Sequence, residues 1–168
     1  SLGGSVARAT ALADSTYRSI ADMMSEVPSF DPDRDRTLDI GAMPSNEASF
    51  GDWLAIVGAI RNEGAKIGVV VSHGTDSIIE ALHVCGECLG ASNRTIAFTG
   101  AMRPGYALGS DALRNLDDAL LVARAVSLGT ILVENGSAYP GWSVAKHDTS
   151  SIGAFQAVAG GRLGRIQA

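Results

Sequence analysis

Hydroxyl, carboxylate and amine side chains follow several short apolar runs of this chain, where they could act together on a carbonyl group. Thr75 and Asp76 stand in "SHGTDS" directly after the apolar run "VVV", and Lys146 stands in "NGSAYPGWSVAKHDTS" at residues 135 to 150. A hydroxyl can attack a carbonyl carbon, a neutral lysine can take and return a proton, and a carboxylate can hold the lysine or a substrate ammonium group. Together these residue types indicate acyl transfer.

Two more hydroxyls fit the same pattern. Ser5 follows the glycine pair of "LGG", and Ser45 stands in "GAMPSN". Because the carboxyl ends of parallel strands meet at one edge of a sheet, we expect both serines and the Thr-Asp pair to face a single cleft. Glycines beside Ser5 would also let backbone N–H groups approach a developing oxyanion.

A simpler interpretation of the same residues is a helix cap. Thr75, Asp76 and Ser77 are all residue types that cap helix N-termini, so a cap alone would account for one or two of them. A lysine in a loop, such as Lys146, is usually just solvated. Each residue taken singly therefore favours a structural role, and the functional interpretation depends on their combination.

The spacing of apolar residues predicts the elements that would position these side chains. Helical spacing occurs in "TYRSIADMMSEV", "FGDWLAIVGAIRNEG", "DSIIEALHVCGECLG" and "SDALRNLDDALLVARAVS". In the second of these, Gly64 is the expected C-cap. Short runs typical of buried strands occur in "KIGVVVS", "RTIAFTG" and "GTILVEN", a weaker one occurs in "RTLDIG", and "SLGGSV" is typical of the end of a strand. This alternation predicts an α/β fold, a single domain with a mainly parallel, doubly wound sheet and helices on both faces. The segments "ARATALADS" and 135–150 are predicted to be irregular functional loops.

Composition narrows the class of protein. The 168 residues suit one domain, and the net charge of −5 with 13 scattered Lys and Arg residues disfavours a nucleic acid or an anionic membrane as partner. No run approaches the roughly 20 apolar residues that span a bilayer, and no secretory signal opens the chain, so we expect a soluble cytoplasmic protein. Neither G-x-G-x-x-G nor G-x-x-x-x-G-K-[ST] occurs, which argues against dinucleotide and P-loop chemistry.

The only two cysteines, Cys85 and Cys88, form a C-x-x-C. They fall late in a predicted helix, whereas a redox pair begins one, and no second ligand pair follows at the spacing of a zinc site. We therefore expect them to pack in or near the core, and we expect no metal site.

Five sequence blocks occur in a fixed order along the chain: "SLGGSVA", "GVVVSHGTDSIIEA", "AFTGAMRP", "SDALRN" and "VAKHDTSSIGAF". In this order they resemble the bacterial-type L-asparaginases and glutaminase-asparaginases, and "HGTD" and "TGAMRP" are the specific part. The resemblance runs along nearly the whole chain, but only to the amino-terminal domain of that family. It implies that residues 1–168 are this catalytic domain and that the family's second domain is absent.

The resemblance also implies catalytic roles. The family's first nucleophilic threonine falls on Ser5, its Thr-Asp pair falls on Thr75 and Asp76, and its lysine falls on Lys146. A tyrosine in the family's mobile lid corresponds best to Tyr17. His73 and Arg103 belong to the motif blocks, but we interpret them as structural supports.

Substrate-binding roles follow in the same way. The residue that holds the substrate α-carboxylate falls on Ser45, and the polar neighbour that helps to bind the α-amino group falls on Asn46. Asp76 offers a carboxylate to the same ammonium group. The carbonyl beside the leaving ammonia belongs to Ala101.

We therefore hypothesise an amidohydrolase that deamidates L-asparagine to L-aspartate and ammonia through a hydroxyl nucleophile and an acyl-enzyme, without a cofactor. The partners expected are a small-molecule substrate, L-asparagine with L-glutamine as a second candidate, and further copies of the chain in a homo-oligomer. Two alternatives stay open. One is the amidase subunit of a glutamine-dependent amidotransferase, and the other is a non-catalytic domain that binds an amino acid.

Overall fold

The strands and helices follow the predicted alternation along the chain. The computed structural model describes residues 6–9, 19–41, 44–64 and 68–167, and for residues 6–9 it describes the backbone alone. The strands are β1 Val6–Ala9, β2 Arg36–Asp39, β3 Val69–Ser72, β4 Thr95–Thr99, β5 Gly129–Glu134, β6 Ser137–Pro140, β7 Val144–Lys146, β8 Phe155–Ala157 and β9 Gly164–Arg165. The helices are α1 Ile20–Ser25, α2 Phe50–Arg61, α3 Ile78–Leu89 and α4 Ala112–Ala125.

The main sheet has seven strands in the order β2-β1-β3-β4-β5-β6-β9. Every pair from β2 to β5 is parallel, whereas β6 and β9 are added antiparallel at one edge. Strands β7 and β8 form a separate antiparallel hairpin. The predicted single α/β domain with a mainly parallel sheet is confirmed.

Alternate residues of the central strands divide the core into two layers. Val69 and Val71 of β3 pack with the buried residues of α2 and α3, while Val70 between them packs with those of α1 and α4. Successive side chains of a strand point to opposite faces of the sheet, so an unbroken apolar run is buried only where helices cover both faces. The structure thus confirms the prediction of helices on both faces.

The four helices lie where the apolar spacing predicts them, although one predicted end is wrong. Gly64 was expected to cap α2, but the helix ends at Arg61, with Asn62 as its C-cap. The buried guanidinium group of Arg94 donates to the carbonyl oxygens of Ile60 at 2.8 Å and Gly64 at 2.7 Å. Because a distant side chain satisfies carbonyls at this helix end, a glycine cap is not needed there.

The segment 135–150, predicted to be an irregular loop, contains two short strands and a 3-10 turn. Asn135 and Gly136 both have positive φ, 48° and 67°, and they join β5 to β6. Two such residues form the tight turn whose twist suits a β-hairpin, and Asn-Gly is its strongest sequence signal. A short 3-10 turn at Gly141–Ser143 then leads into β7.

The beginning of the sheet also differs from the prediction. β1 comprises Val6–Ala9, so "ARA" of the predicted loop "ARATALADS" belongs to the strand. Ala9 lies opposite Ser72 at the carboxyl end of β3. Pairing with both β2 and β3 supplies main-chain hydrogen bonds on each side, which outweighs the low strand propensity of alanine.

The two cysteines pack as the sequence predicts. Cys85 is fully buried in the layer formed by α2 and α3, and Cys88 is partly buried against it. Burial raises the pKa of the Cys85 thiol to about 12, so it stays protonated and unreactive at neutral pH.

Among the described residues, none of the helices has both the length and the apolar composition that spanning a bilayer requires.

Leu120 on α4 offers a test of the packing in the core layer formed by α1 and α4. Its side chain is 0 % exposed, so Leu120→Ala should lower the free energy of unfolding by about 3–5 kcal/mol, through lost burial and the cavity left behind. The matched control is Leu108→Ala at a fully exposed position, which should change it by less than about 0.5 kcal/mol. Urea unfolding of both variants measures the difference, and equal effects would contradict the layer assignment.

Candidate active site

The turn that follows β3 is held by a lysine from far along the chain. Lys146 Nζ lies 3.0 Å from Thr75 Oγ1, 3.2 Å from the Thr75 carbonyl oxygen and 3.2 Å from Asp76 Oδ1. These three contacts bring the hydroxyl, the amine and the carboxylate of the predicted acyl-transfer set into direct hydrogen-bonding distance. The side chain of Lys146 is 16 % exposed, whereas that of Asp76 is 63 % exposed.

The β7–β8 hairpin positions Lys146. Lys146 is the last residue of β7 and pairs with Phe155 of β8, whose side chain is buried in the layer formed by α2 and α3. The His147 N–H continues the pairing by donating to the Ala154 carbonyl at 2.7 Å. A lysine fixed at the end of a core-anchored hairpin can make a defined contact across 71 residues of sequence.

Ser45 lies on the other side of the turn. It is buried in a 3-10 turn at Ser45–Glu47, and its hydroxyl oxygen accepts from the Asp76 N–H at 3.3 Å. The Ser77 hydroxyl donates to the Ser45 carbonyl at 2.5 Å and fixes the two segments together. A hydroxyl carries one proton besides its acceptor sites, and no acceptor for the Ser45 proton occurs among the described residues. That proton is available to a bound anion.

The helix-cap interpretation of "TDS" does not hold for this turn. The N-cap of α3 is Ser77, and its side chain makes no capping hydrogen bond. It bonds to Ser45 instead, while the side chains of Thr75 and Asp76 bond to Lys146. None of the three side chains caps the helix, so a cap does not explain their presence.

Two glycines allow the strand ends to approach each other. A Cβ atom on Gly74 would collide with the hydroxyl oxygen of Ser45. A Cβ atom on Gly100, after β4, would lie 2.6 Å from the His73 carbonyl oxygen and 3.0 Å from Thr75 Cγ2. Any other residue at either position would push the loops apart, which explains the glycines of "HGTD" and "TGAM".

These residues line a cavity of about 380 Å³ at the carboxyl ends of β3 and β4. Of the site residues predicted from sequence, the structure brings five to its wall: Ser45, Thr75, Asp76, Ala101 and Lys146. Asn46 is exposed on the 3-10 turn beside Ser45 and does not line the cavity. Ser5 and Tyr17 lie outside the described residues, so their roles stay predictions.

His73 and Arg103 make supporting contacts around this cavity. His73 Nδ1 lies 2.8 Å from the Gly74 carbonyl oxygen, and burial lowers the pKa of its imidazole, which favours the neutral ring. The exposed guanidinium group of Arg103 donates to the Gly109 carbonyl at 3.2 Å. Both contacts lie within their own loops, as a structural role requires.

A buried polar network behind the cavity was missed from the sequence. Glu134 ends β5, Asn115 lies on α4 and Asp111 precedes α4, and all three are buried. Burial raises the pKa of the Glu134 carboxyl well above its usual value, although a hydrogen bond from the Gly100 N–H opposes the shift. Two signals could have found these residues: a carboxylate closing the apolar run "ILV", and two polar residues four apart on the apolar face of a helix.

No metal cluster accompanies this arrangement in the ranges that the structure describes. Within them, no group of three or more His, Cys, Asp or Glu side chains is placed to hold a metal ion.

Comparison with known proteins places the chain in a family. The family model for the asparaginase amino-terminal region matches residues 1–168. L-asparaginase 2 of Escherichia coli is 28% identical over 139 residues, which are 79% of this chain and 38% of that protein. L-asparaginase 2-3 of Saccharomyces cerevisiae is 26% identical over 174 residues, covering 96% of this chain and 48% of that protein.

A solved structure shows the same relationship in three dimensions. The crystal structure of a probable cytoplasmic L-asparaginase from Campylobacter jejuni superimposes with a TM-score of 0.81 and 25% identity, covering 98% of this chain and 56% of that one. The chain belongs to the asparaginase family. It spans less than half the length of the two relatives it matches by sequence.

The buried carboxyl group of Glu134 should make the stability of the fold depend on pH. A raised pKa in the folded state means that its contribution to stability is present below the unfolded value of 4.5 and is lost as the pH rises through the folded value. The wild type should therefore lose stability relative to Glu134→Gln as the pH rises, by up to about 1.4 kcal/mol per pH unit.

Urea unfolding at several pH values between about 4 and 8 measures this gap. Thr95→Val is the control, because Thr95 is equally buried at the other end of the sheet but carries no titratable group. Its gap to the wild type should not change with pH. A pH-independent gap for Glu134→Gln would contradict the raised pKa.

Proposed function

We propose that this domain is an amidohydrolase that deamidates L-asparagine to L-aspartate and ammonia. The observation that carries the proposal is the contact of Lys146 Nζ with Thr75 Oγ1 at 3.0 Å and with Asp76 Oδ1 at 3.2 Å, on the wall of a cavity large enough for an amino acid. The names of the relatives, all L-asparaginases, support the substrate.

The proposed reaction has two halves. A hydroxyl oxygen attacks the side-chain amide carbon, the C–N bond breaks, and ammonia leaves with the proton that the hydroxyl gave up. Water then attacks the acyl-enzyme and releases aspartate, and its proton returns to the hydroxyl. Lys146 is suited to carry the proton at Thr75 in its neutral form, while Asp76 fixes the amine through its carboxylate.

Two segments of the substrate would be held by separate groups. The Ser45 hydroxyl is proposed to donate to the α-carboxylate, and the exposed Asp76 carboxylate to accept from the α-ammonium group. A role for Asn46 at the ammonium group rests on the resemblance alone, since this residue does not line the cavity. Ala101 lines the same cavity, and its main chain is proposed to face the amide nitrogen that leaves. Roles for Ser5 as the first nucleophile and Tyr17 as a lid residue rest on the resemblance alone.

The cytoplasmic location and the homo-oligomeric assembly of the chain are also proposals. The name of the Campylobacter enzyme supports a cytoplasmic location. Exposed apolar side chains such as Trp142 and Val158, at 73% and 68% exposure, are surfaces that association into a homo-oligomer would cover. Light scattering of the purified chain measures its oligomeric state.

Thr75→Val is the direct test of the reaction, because valine keeps the shape of the side chain and removes the hydroxyl. Ammonia release from L-asparagine should fall by about 10²–10⁴-fold in kcat/KM. Thr130→Val is the matched control, since Thr130 lies at the opposite end of the sheet and its buried hydroxyl has no partner among the described residues. That variant should keep wild-type turnover.

The same assay separates the alternatives. L-glutamine is tested beside L-asparagine, and Ser5→Ala is tested beside Thr75→Val. Turnover that survives Thr75→Val would overturn the proposed mechanism. Saturable binding of L-aspartate with no turnover in the wild type would replace the enzyme by a binding domain.

Ser45→Ala tests the proposed carboxylate site. Loss of a hydrogen bond to a charged group costs about 1.5–3 kcal/mol, so KM should rise by about tenfold or more while kcat changes less. Ser127→Ala, which removes an exposed hydroxyl bonded to the Asn93 carbonyl, is the control and should leave KM unchanged. A fall in kcat alone for Ser45→Ala would contradict a binding role.

A further inference from the structure

In the loop that follows β4, buried side chains hold backbone groups on both sides of one residue, Ala101. Glu134 Oε1 accepts from the Gly100 N–H at 2.6 Å, and Asn115 Nδ2 donates to the Gly100 carbonyl at 3.0 Å. The Asp111 carboxylate accepts from the Met102 N–H at 3.0 Å and from the Arg103 N–H at 2.9 Å. Buried side chains therefore fix both polar groups of Gly100 and the two amides that follow Ala101.

Ala101 stands between these fixed points and faces the cavity. Its N–H and carbonyl have no hydrogen-bonding partner within the described residues, although the residue lines the cavity wall. A Cβ atom on the neighbouring Gly100 would lie only 3.0 Å from Thr75 Cγ2, so the two loops approach closely there. Ala101 thus presents one free donor and one free acceptor to the cavity that Thr75 also lines.

The network itself is joined through Asn115. Its Nδ2 also donates to Glu134 Oε2 at 2.7 Å and lies 3.0 Å from Asp111 Oδ2, while its Oδ1 accepts from the Asn135 N–H at 3.0 Å. The last contact fixes which way the amide points. Glu134 then meets an N–H donor at each oxygen, one from Gly100 and one from Asn115.

Only a carboxyl group satisfies both donors. A glutamine at position 134 has one acceptor oxygen, so its NH₂ group would face either the Gly100 N–H or the Asn115 NH₂. A donor facing a donor in a buried site is unfavourable, and the loop or the side chain must move. This requirement explains why a group so costly to bury closes an otherwise apolar strand.

We propose that Glu134 is a positioning residue, which together with Asn115 holds the Gly100 peptide so that the Ala101 main chain faces the amide to be cleaved. The proposal rests on the amidohydrolase function proposed above. A misplacement of about 1 Å in a group that contacts the reacting atoms can cost about 10²-fold in rate. The effect of Glu134 is therefore expected in kcat, since neither it nor Asn115 lines the cavity.

Glu134→Gln tests the proposal with two independent readouts. By NMR, hydrogen exchange of the Gly100 amide should be at least about tenfold faster than in the wild type, with the β3 amides unchanged. With L-asparagine, kcat should fall by about 10- to 100-fold while KM stays within about twofold.

Thr95→Val is the matched control for a loss of stability alone. Thr95 is fully buried at the other end of β4, where its hydroxyl donates to the Val126 carbonyl at 2.7 Å and accepts from the Leu128 N–H at 2.9 Å. This variant should lower the melting temperature but change neither kcat nor Gly100 exchange. A kcat for Glu134→Gln equal to that of Thr95→Val would overturn the proposal.

Two further outcomes decide between failure of the proposed function and failure of the positioning role. If the wild type releases no ammonia, the proposed function fails, and unchanged Gly100 exchange in Glu134→Gln would overturn the positioning role independently. If Glu134→Gln does not fold, Asn115→Ala replaces it, because this change removes the amide that bonds to Glu134 and to the Gly100 carbonyl. Faster exchange of the Gly100 amide with a lowered kcat would support the proposal, and unchanged values would overturn it.

Discussion

Parallel pairing of β3 with β4 is the constraint on which the rest of the structure depends. The register sets Ser72 opposite Thr99, so the turns after both strands begin at the same level. Each strand is buried on both faces, which fixes its register, because a slip by one residue would exchange the side chains of the two layers. Thr75 and Ala101 meet at one cavity because of this register, with glycines at 74 and 100 allowing the close approach.

The remaining parts of the site are brought to this edge by separate elements. The β7–β8 hairpin carries Lys146, and the 3-10 turn before α2 carries Ser45. Both are tied to the Thr75–Ser77 turn by hydrogen bonds from or to its side chains and main chain. The turn therefore serves as the common anchor of the cavity, and it begins α3 without using its side chains as a cap.

A set of buried polar groups lies behind the residues that line the cavity. Glu134 and Asn115 are buried beneath the loop after β4, where apolar residues would pack at lower cost. Their partners are backbone groups of the loop, so the cost of burial is offset by hydrogen bonds that define its conformation. Thr130 lies in the same strand as Glu134, but its buried hydroxyl has no hydrogen-bonding partner within the described ranges. Buried polar groups of this strand are therefore hydrogen-bonded at the cavity end and not at Thr130.

The sequence by itself determined the α/β class, the four helices and the central strands, because apolar periodicity is a local signal. Strand-end patterns pointed to Ser45, Thr75, Asp76 and Lys146, and the family resemblance pointed to Ala101; all five line the cavity. The sequence did not determine the hairpin after Asn135–Gly136, although that turn signal was present, or the extent of β1 through Ala9, where pairing on both sides outweighs propensity. Only the tertiary structure decided that Lys146 reaches Thr75 and that Glu134 and Asn115 clamp Gly100. Those contacts join residues 71, 34 and 15 positions apart, and no local pattern encodes which distant polar groups meet.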